Sequence, residues 1–118
     1  MQSLDPIEKE FLLEAIDDYV GLWEFPSAIR RHLNEQDPEK VRELSMTLVR
    51  RLIGEELMVA GDLAEEGGFA PWTHSAAKSV ERIDELWRRL GRHPNLGGDI
   101  PWFNLTPKGE TAAEKIKH

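Results

Sequence analysis

The side chains able to do chemistry fall into three charged groups and a scatter of histidines. Glu10, Glu14, Asp17 and Asp18 recur at steps of three and four residues. On a helix that spacing lines carboxylates along one face. Such a face attracts a basic surface and speeds its encounter through complementary fields. Glu65 and Glu66 add acid beside Gly67-Gly68, a turn composition. Neighbours such as Asp17-Asp18 point apart on a helix, so they do not form a paired acid–base site.

The first basic group is Arg42, Thr47, Arg50 and Arg51, with Ser45 and Met46 expected on the same outward side of a helix. In a DNA major groove, Arg50 and Arg51 would meet phosphate or guanine. Glu39 and Glu43 occupy the N-terminal half, where base contacts usually fall. The second basic group is Lys78, Arg82, Arg88, Arg89 and Arg92, interleaved with Glu81, Asp84 and Glu85. Acids at these spacings pair with bases on a helix surface, so ordinary solvated faces explain these charges too.

His32, His74, His93 and His118 form no i, i+4 pair and no His-x-His. There is no cysteine, which excludes disulfides and thiolate metal sites. Gly67-Gly68 and Gly97-Gly98 read as turns, without the spacing of a phosphate loop. Thr73-His74-Ser75 reads as a helix cap. No catalytic, cofactor-binding or metal-ligating residue is therefore expected, and a non-enzyme is the expected class.

These groups must be carried by a small number of elements. Asp5-Pro6 with Glu8 reads as a capped helix start, and Ile7, Phe11, Leu12, Ala15, Ile16, Tyr19 and Val20 give that helix one apolar face up to Gly21. A second helix is expected over about residues 25–33, with Trp23, Phe25, Ile29 and Leu33 as core. Asp37-Pro38 starts a third, striped by Val41, Leu44, Leu48, Val49, Leu52 and Ile53, running to about Glu56 unless Gly54 ends it. Leu57–Ala60 and Phe69–Trp72 read as strands around a turn, Ser75–Leu90 as a fourth helix closed by Gly91, and Ile100–Leu105 as a last strand. Pro71 and Pro101 mark strand edges or starts. Thr106-Pro107 caps a short C-terminal helix. The expected architecture is mainly α with a small antiparallel β-sheet, in one domain over residues 1–118.

Four tryptophans stand beside core-like positions. Trp23, Trp87 and Trp102 are expected inside. Trp72 is expected in the core as well, but, flanked by loop residues, it is the one of the four nearest to exposure and the one offered for a protein contact. Trp72 and Trp102 are expected to face each other across two strands.

The order of elements, three helices, a strand, a turn, a returning strand and a closing helix, is that of a winged helix-turn-helix. The segment Trp102-Phe103-Asn104-Leu105-Thr106-Pro107-Lys108-Gly109-Glu110 resembles the wing exit of small bacterial winged-helix proteins, the MarR-like and PadR-like regulators among them. Arg50–Met58 is similar to the passage from the third helix into the wing. The resemblance implies a three-helix core plus a wing, a short C-terminal helix, and DNA as one ligand class. Two features depart from it. A helix of about sixteen residues interrupts the wing, and Glu65 and Glu66 stand where wing tips often carry Arg or Lys.

The net charge of −7 is concentrated in residues 1–29, which hold seven acids and a single lysine. Phosphate neutralisation dominates DNA affinity, so this balance favours a basic protein partner over DNA. Small acidic chains without cysteine also match the composition of immunity proteins, antitoxins and adaptors. The expectation is a non-catalytic protein-binding module, as monomer or homodimer, acting through Glu10, Glu14, Asp17, Asp18, Glu65, Glu66 and Trp72. A winged-helix transcriptional regulator using Arg42, Thr47, Arg50 and Arg51 is the alternative. Met1–Glu10 lacks a basic stretch followed by an apolar core, and no apolar run approaches the ~20 residues of a membrane span. A cytoplasmic location without membrane contact is expected.

Overall fold

Four of the five helices among the described residues carry a recognisable start or stop signal. The computed structural model describes residues 4–95 and 100–118, so the expected Gly97-Gly98 turn lies outside the described residues. Helix α1 spans Asp5–Asp17, α2 Glu24–Leu33, α3 Pro38–Gly54, α4 Ala76–Leu90 and α5 Pro107–Lys117. Asp37 caps α3, Ser75 caps α4 and Thr106 caps α5, each side chain accepting from the backbone N–H three residues on. Asn34 ends α2 and Gly91 ends α4 in the left-handed conformation.

The start of α1 corrects the sequence reading. Leu4 is its N-cap and supplies no side-chain bond, so Asp5 and Glu8 form no capping box. Instead the Asp5 carboxylate accepts from Arg51 of α3 at 2.6 Å, and Glu8 lies 3.0 Å from the same guanidinium. A charge-assisted bond to Arg is roughly twice as strong as one between neutral groups, and it draws both acids off the helix end. The other end also differs. The helix stops at Asp17, and Val20–Gly21 forms a two-residue strand, β1.

Strands β2 (Met58–Leu63), β3 (Phe69–Pro71) and β4 (Trp102–Leu105) complete a sheet of order β1-β4-β2-β3. All three pairings are antiparallel. Gly21 and Gly61 flank Trp102, one on each side. Because β2 separates β3 from β4, Trp72 and Trp102 do not face each other as expected. Gly61 is required here. A methyl group on it would sit 2.4 Å from the Ala70 carbonyl oxygen and 2.7 Å from the Phe69 ring. Pro101 precedes β4, and Pro71 ends the edge strand β3, as a residue without an N–H must.

The core runs from helices to sheet through three rings. Phe11 of α1 lies 4.7 Å from Phe25 of α2, which lies 5.0 Å from Phe103 of β4. All three are fully or almost fully buried, each contributing roughly 1.5–3 kcal/mol from apolar burial. Helix α5 returns against α1. It is held by the segment between β4 and α5: Thr106 donates its hydroxyl to the Glu56 carbonyl, and its N–H donates to the Leu57 carbonyl at 3.1 Å. Gly109 lies so close to this carbonyl that a methyl group there would be 1.9 Å from the Leu57 oxygen.

Helix α3 is packed by α2 on one side and by α4 on another. It therefore needs two buried faces. Ser45 and Met46, expected to point outward, are buried at 0% and 2% exposure. They share a helix face with Arg42, which pairs with Asp84 of α4, a neighbour that the spacing within α3 does not announce. Among the described residues no helix is long and apolar enough to cross a membrane.

Candidate functional site

The two acidic segments are linked by one aromatic contact. Tyr19, just beyond α1, stacks on Phe69 of β3 with ring centroids 5.2 Å apart and planes inclined by 29°. The chain ending α1 carries exposed Asp17 and Asp18, and the turn before Phe69 carries exposed Glu65 and Glu66. The stack thus links the segment that carries Asp17 and Asp18 to the strand that follows the turn carrying Glu65 and Glu66. The hairpin is closed by Ala64, whose N–H donates to Gly68 at 2.7 Å and whose carbonyl accepts from Gly67 at 2.8 Å. Asp18 also accepts from the Tyr19 N–H at 2.8 Å, which holds the exit of the helix.

Further up α1, Glu10 and Glu14 stand in different environments. Burial acts to raise the Glu10 carboxyl, but hydrogen bonds and charges from Arg31 and His32 of α2 hold it below its ordinary value. No cation is among the influences on Glu14. Burial is the largest influence on it, followed by a hydrogen bond and charge from Glu24, then by Glu10 and Asp18, and together they raise it to about 7. Glu24 comes from the first turn of α2, where its carboxylate also accepts from the Gly21 N–H at 2.8 Å. No spacing within α1 announces Glu24; only the packing of α2 on α1 does. Glu10, Glu14 and Glu24 line a small cleft of about 190 Å³ with Phe11, Trp23, Ser27 and Arg31.

Trp72 packs in the core, the reading favoured for all four tryptophans, and so offers no exposed aromatic anchor for a protein contact. It is buried at 9% exposure, its indole N–H donates to Asp62 at 3.0 Å, and the Arg82 guanidinium lies 3.9 Å over its ring. Arg82 in turn reaches His74 at 3.2 Å. The side chain that reads as loop-bound is roofed by α4.

The first basic group is largely used inside the fold. Arg42 pairs with Asp84 of α4, which also holds Arg88 at 3.1 Å. Arg51 ties α3 to the start of α1 through Asp5 and Glu8, and the Asp5 hydrogen bond is the largest influence raising its pKa. The Glu8 carboxyl is raised, with burial outweighing the opposing charge of Arg51. Thr47 is exposed but donates its hydroxyl to the Glu43 carbonyl at 3.0 Å. Of the four residues, Arg50 is exposed and has no ion pair among the described residues. The exposed face of α3 also carries Glu39 and Glu43.

No protein-family model, curated protein or solved structure matches the chain.

Proposed function

We propose that the chain is a non-catalytic binding module on a winged-helix-like frame, and that its two linked acidic segments capture a basic protein surface. In this reading β2 and β4 are the wing strands, and β3 with α4 is an insertion between them. The antiparallel pairing of β2 with β4 and of β4 with β1 supports that assignment. The observation that carries the binding reading is the Tyr19–Phe69 stack, because it links the acidic segment ending α1 to the acidic hairpin. A concentrated field of one sign steers a partner of the opposite sign. Immunity-type inhibitors, antitoxins and adaptors are the roles this fits.

The alternative, DNA readout by α3, is weakened by two observations. Helix α4 packs along α3 and takes Arg42, and Asp5 and Glu8 take Arg51. The solvent side then keeps Lys40, Thr47 and Arg50 with Glu39 and Glu43, two cations against two acids, a poor surface for phosphate.

The test pairs two assays on one set of proteins. The wild type and an Asp17→Lys, Asp18→Lys, Glu65→Lys, Glu66→Lys variant are used as bait in lysate from the source cell and in gel shifts with fragmented genomic DNA. The expected result is a basic protein retained by the wild type, lost on charge reversal, and no gel shift. A salt-sensitive gel shift by the wild type, with no retained protein, overturns the reading.

A further inference from the structure

A second site lies where the start of α3 meets the end of α4. Pro38, Glu39 and Arg42 from α3 and Trp87, Arg88, Gly91, Arg92 and His93 from α4 and its exit line a cleft of about 520 Å³. That volume lies in the range that holds small-molecule ligands, roughly 300–1,000 Å³. Its floor is apolar. Trp87 is buried, and His93 meets its ring edge-on at 5.6 Å.

The charge of the cleft is unbalanced. Three guanidiniums line it, those of Arg42, Arg88 and Arg92. Asp84 is shared between Arg42 and Arg88, so one carboxylate faces two cations. The Arg92 guanidinium donates to the His93 carbonyl at 3.1 Å, which neutralises nothing. Glu39 is the remaining acid of the lining and is exposed. Arg30 of α2 is near enough to His93 to act with burial in lowering the imidazole pKa, which leaves that ring neutral near pH 7. The positive end of α3 and the negative end of α4 both terminate here. Each end amounts to about half a charge, so they offset one another and the arginines decide the sign.

We infer that this cleft binds a small organic anion with a flat apolar body, its ring against Trp87 and its anionic group on Arg88 and Arg92. Planar guanidiniums hold a carboxylate by paired hydrogen bonds, which a neutral or cationic head group cannot accept in the same way.

The experiment is an NMR titration following the Trp87 indole N–H, assigned by its loss in Trp87→Phe. The probes are naphthoate and its matched alcohol and ammonium, naphthalenemethanol and naphthalenemethylammonium. Naphthoate is expected to give a saturable shift, with the alcohol and the ammonium binding at least about tenfold more weakly. Arg92→Gln is expected to weaken naphthoate about tenfold without moving the thermal midpoint, since Arg92 is exposed and outside the core. Glu39→Gln is expected to tighten it. Equal binding of the alcohol, preference for the ammonium, or the absence of saturation overturns the inference.

Discussion

Tyr19 stacks on Phe69 with ring centroids 5.2 Å apart, although fifty residues separate the two along the chain. Phe69 can lie there because Gly61 beneath it has no side chain. Stacked aromatic pairs contribute about 0.5–1.5 kcal/mol beyond area burial. A double-mutant cycle with Tyr19→Ala and Phe69→Ala, read by urea unfolding, should return a coupling energy in that range. The same single variants should weaken capture of the basic partner without removing any charge. Unchanged capture would mean that the two acidic groups work separately.

Gly109 and Gly54 make opposite predictions for the same substitution. Gly109→Ala drives a methyl group into the Leu57 carbonyl, a backbone atom that cannot swing aside. A loss of about 2–4 kcal/mol is expected, at or above the usual cost of overpacking. Gly54 ends α3 with open space around it. Gly54→Ala should stabilise by about 0.4–1 kcal/mol by restricting the unfolded chain. Thermal unfolding of the two variants side by side checks both.

The Glu14 carboxyl gives a pH dependence of defined sign. Its folded pKa is raised from 4.5 to about 7, so the folded protein holds a proton that the unfolded chain has released across that interval. Stability from this group is therefore greatest below about pH 4.5 and falls as pH rises toward about 7, beyond which it is flat. Because Glu14 keeps solvent contact, screening reduces the effect to about 1 kcal/mol. Glu10, shifted the other way, contributes with the opposite slope below its ordinary value. Glu14→Gln should flatten the stability profile between these limits and leave the variant more stable than wild type at alkaline pH. An unchanged slope in that variant would remove Glu14 as its origin.

Arg50 and Arg51 are neighbours with different work. Arg50→Ala should change stability by no more than about 0.5 kcal/mol, as for an exposed residue with no ion pair. Arg51→Ala frees the start of α1 and leaves Glu8, with a side chain 13% exposed, beside Asp5 without its cation. A loss of about 1–3 kcal/mol is expected, the cost of an unsatisfied partly buried group. Hydrogen exchange should locate the change at the first turns of α1. Equal effects at the two positions would contradict the assigned tether.

The sequence by itself determined most of the elements, because their signals are local. A cap needs its acceptor three residues before its donor, and Asp37, Ser75 and Thr106 supply that within a single turn. Gly91 and Asn34 carry their own conformational licence to stop a helix. The exit at Leu105-Thr106-Pro107-Lys108-Gly109 was also legible, although why its glycine is needed depends on the Leu57 carbonyl. The surface acids were legible as a set for the same local reason, through their spacing on α1 and their place in a turn.

What depends on a distant partner is set by long-range packing. Strand β1 is two residues long and exists because β4 lies beside it, while Tyr19 and Val20 continue the apolar spacing of α1 as though the helix went on. Trp72 lies under Arg82 of α4, and Ser45 and Met46 are buried on the side of α3 whose Arg42 pairs with α4; periodicity within one segment cannot report a neighbour from another. Glu14 and Glu24 were brought together, and Arg42 and Arg51 drawn inward, by the same kind of long-range packing. Spacing along a chain fixes which side chains share a face, but burial and charge pairing are set by what is laid against that face.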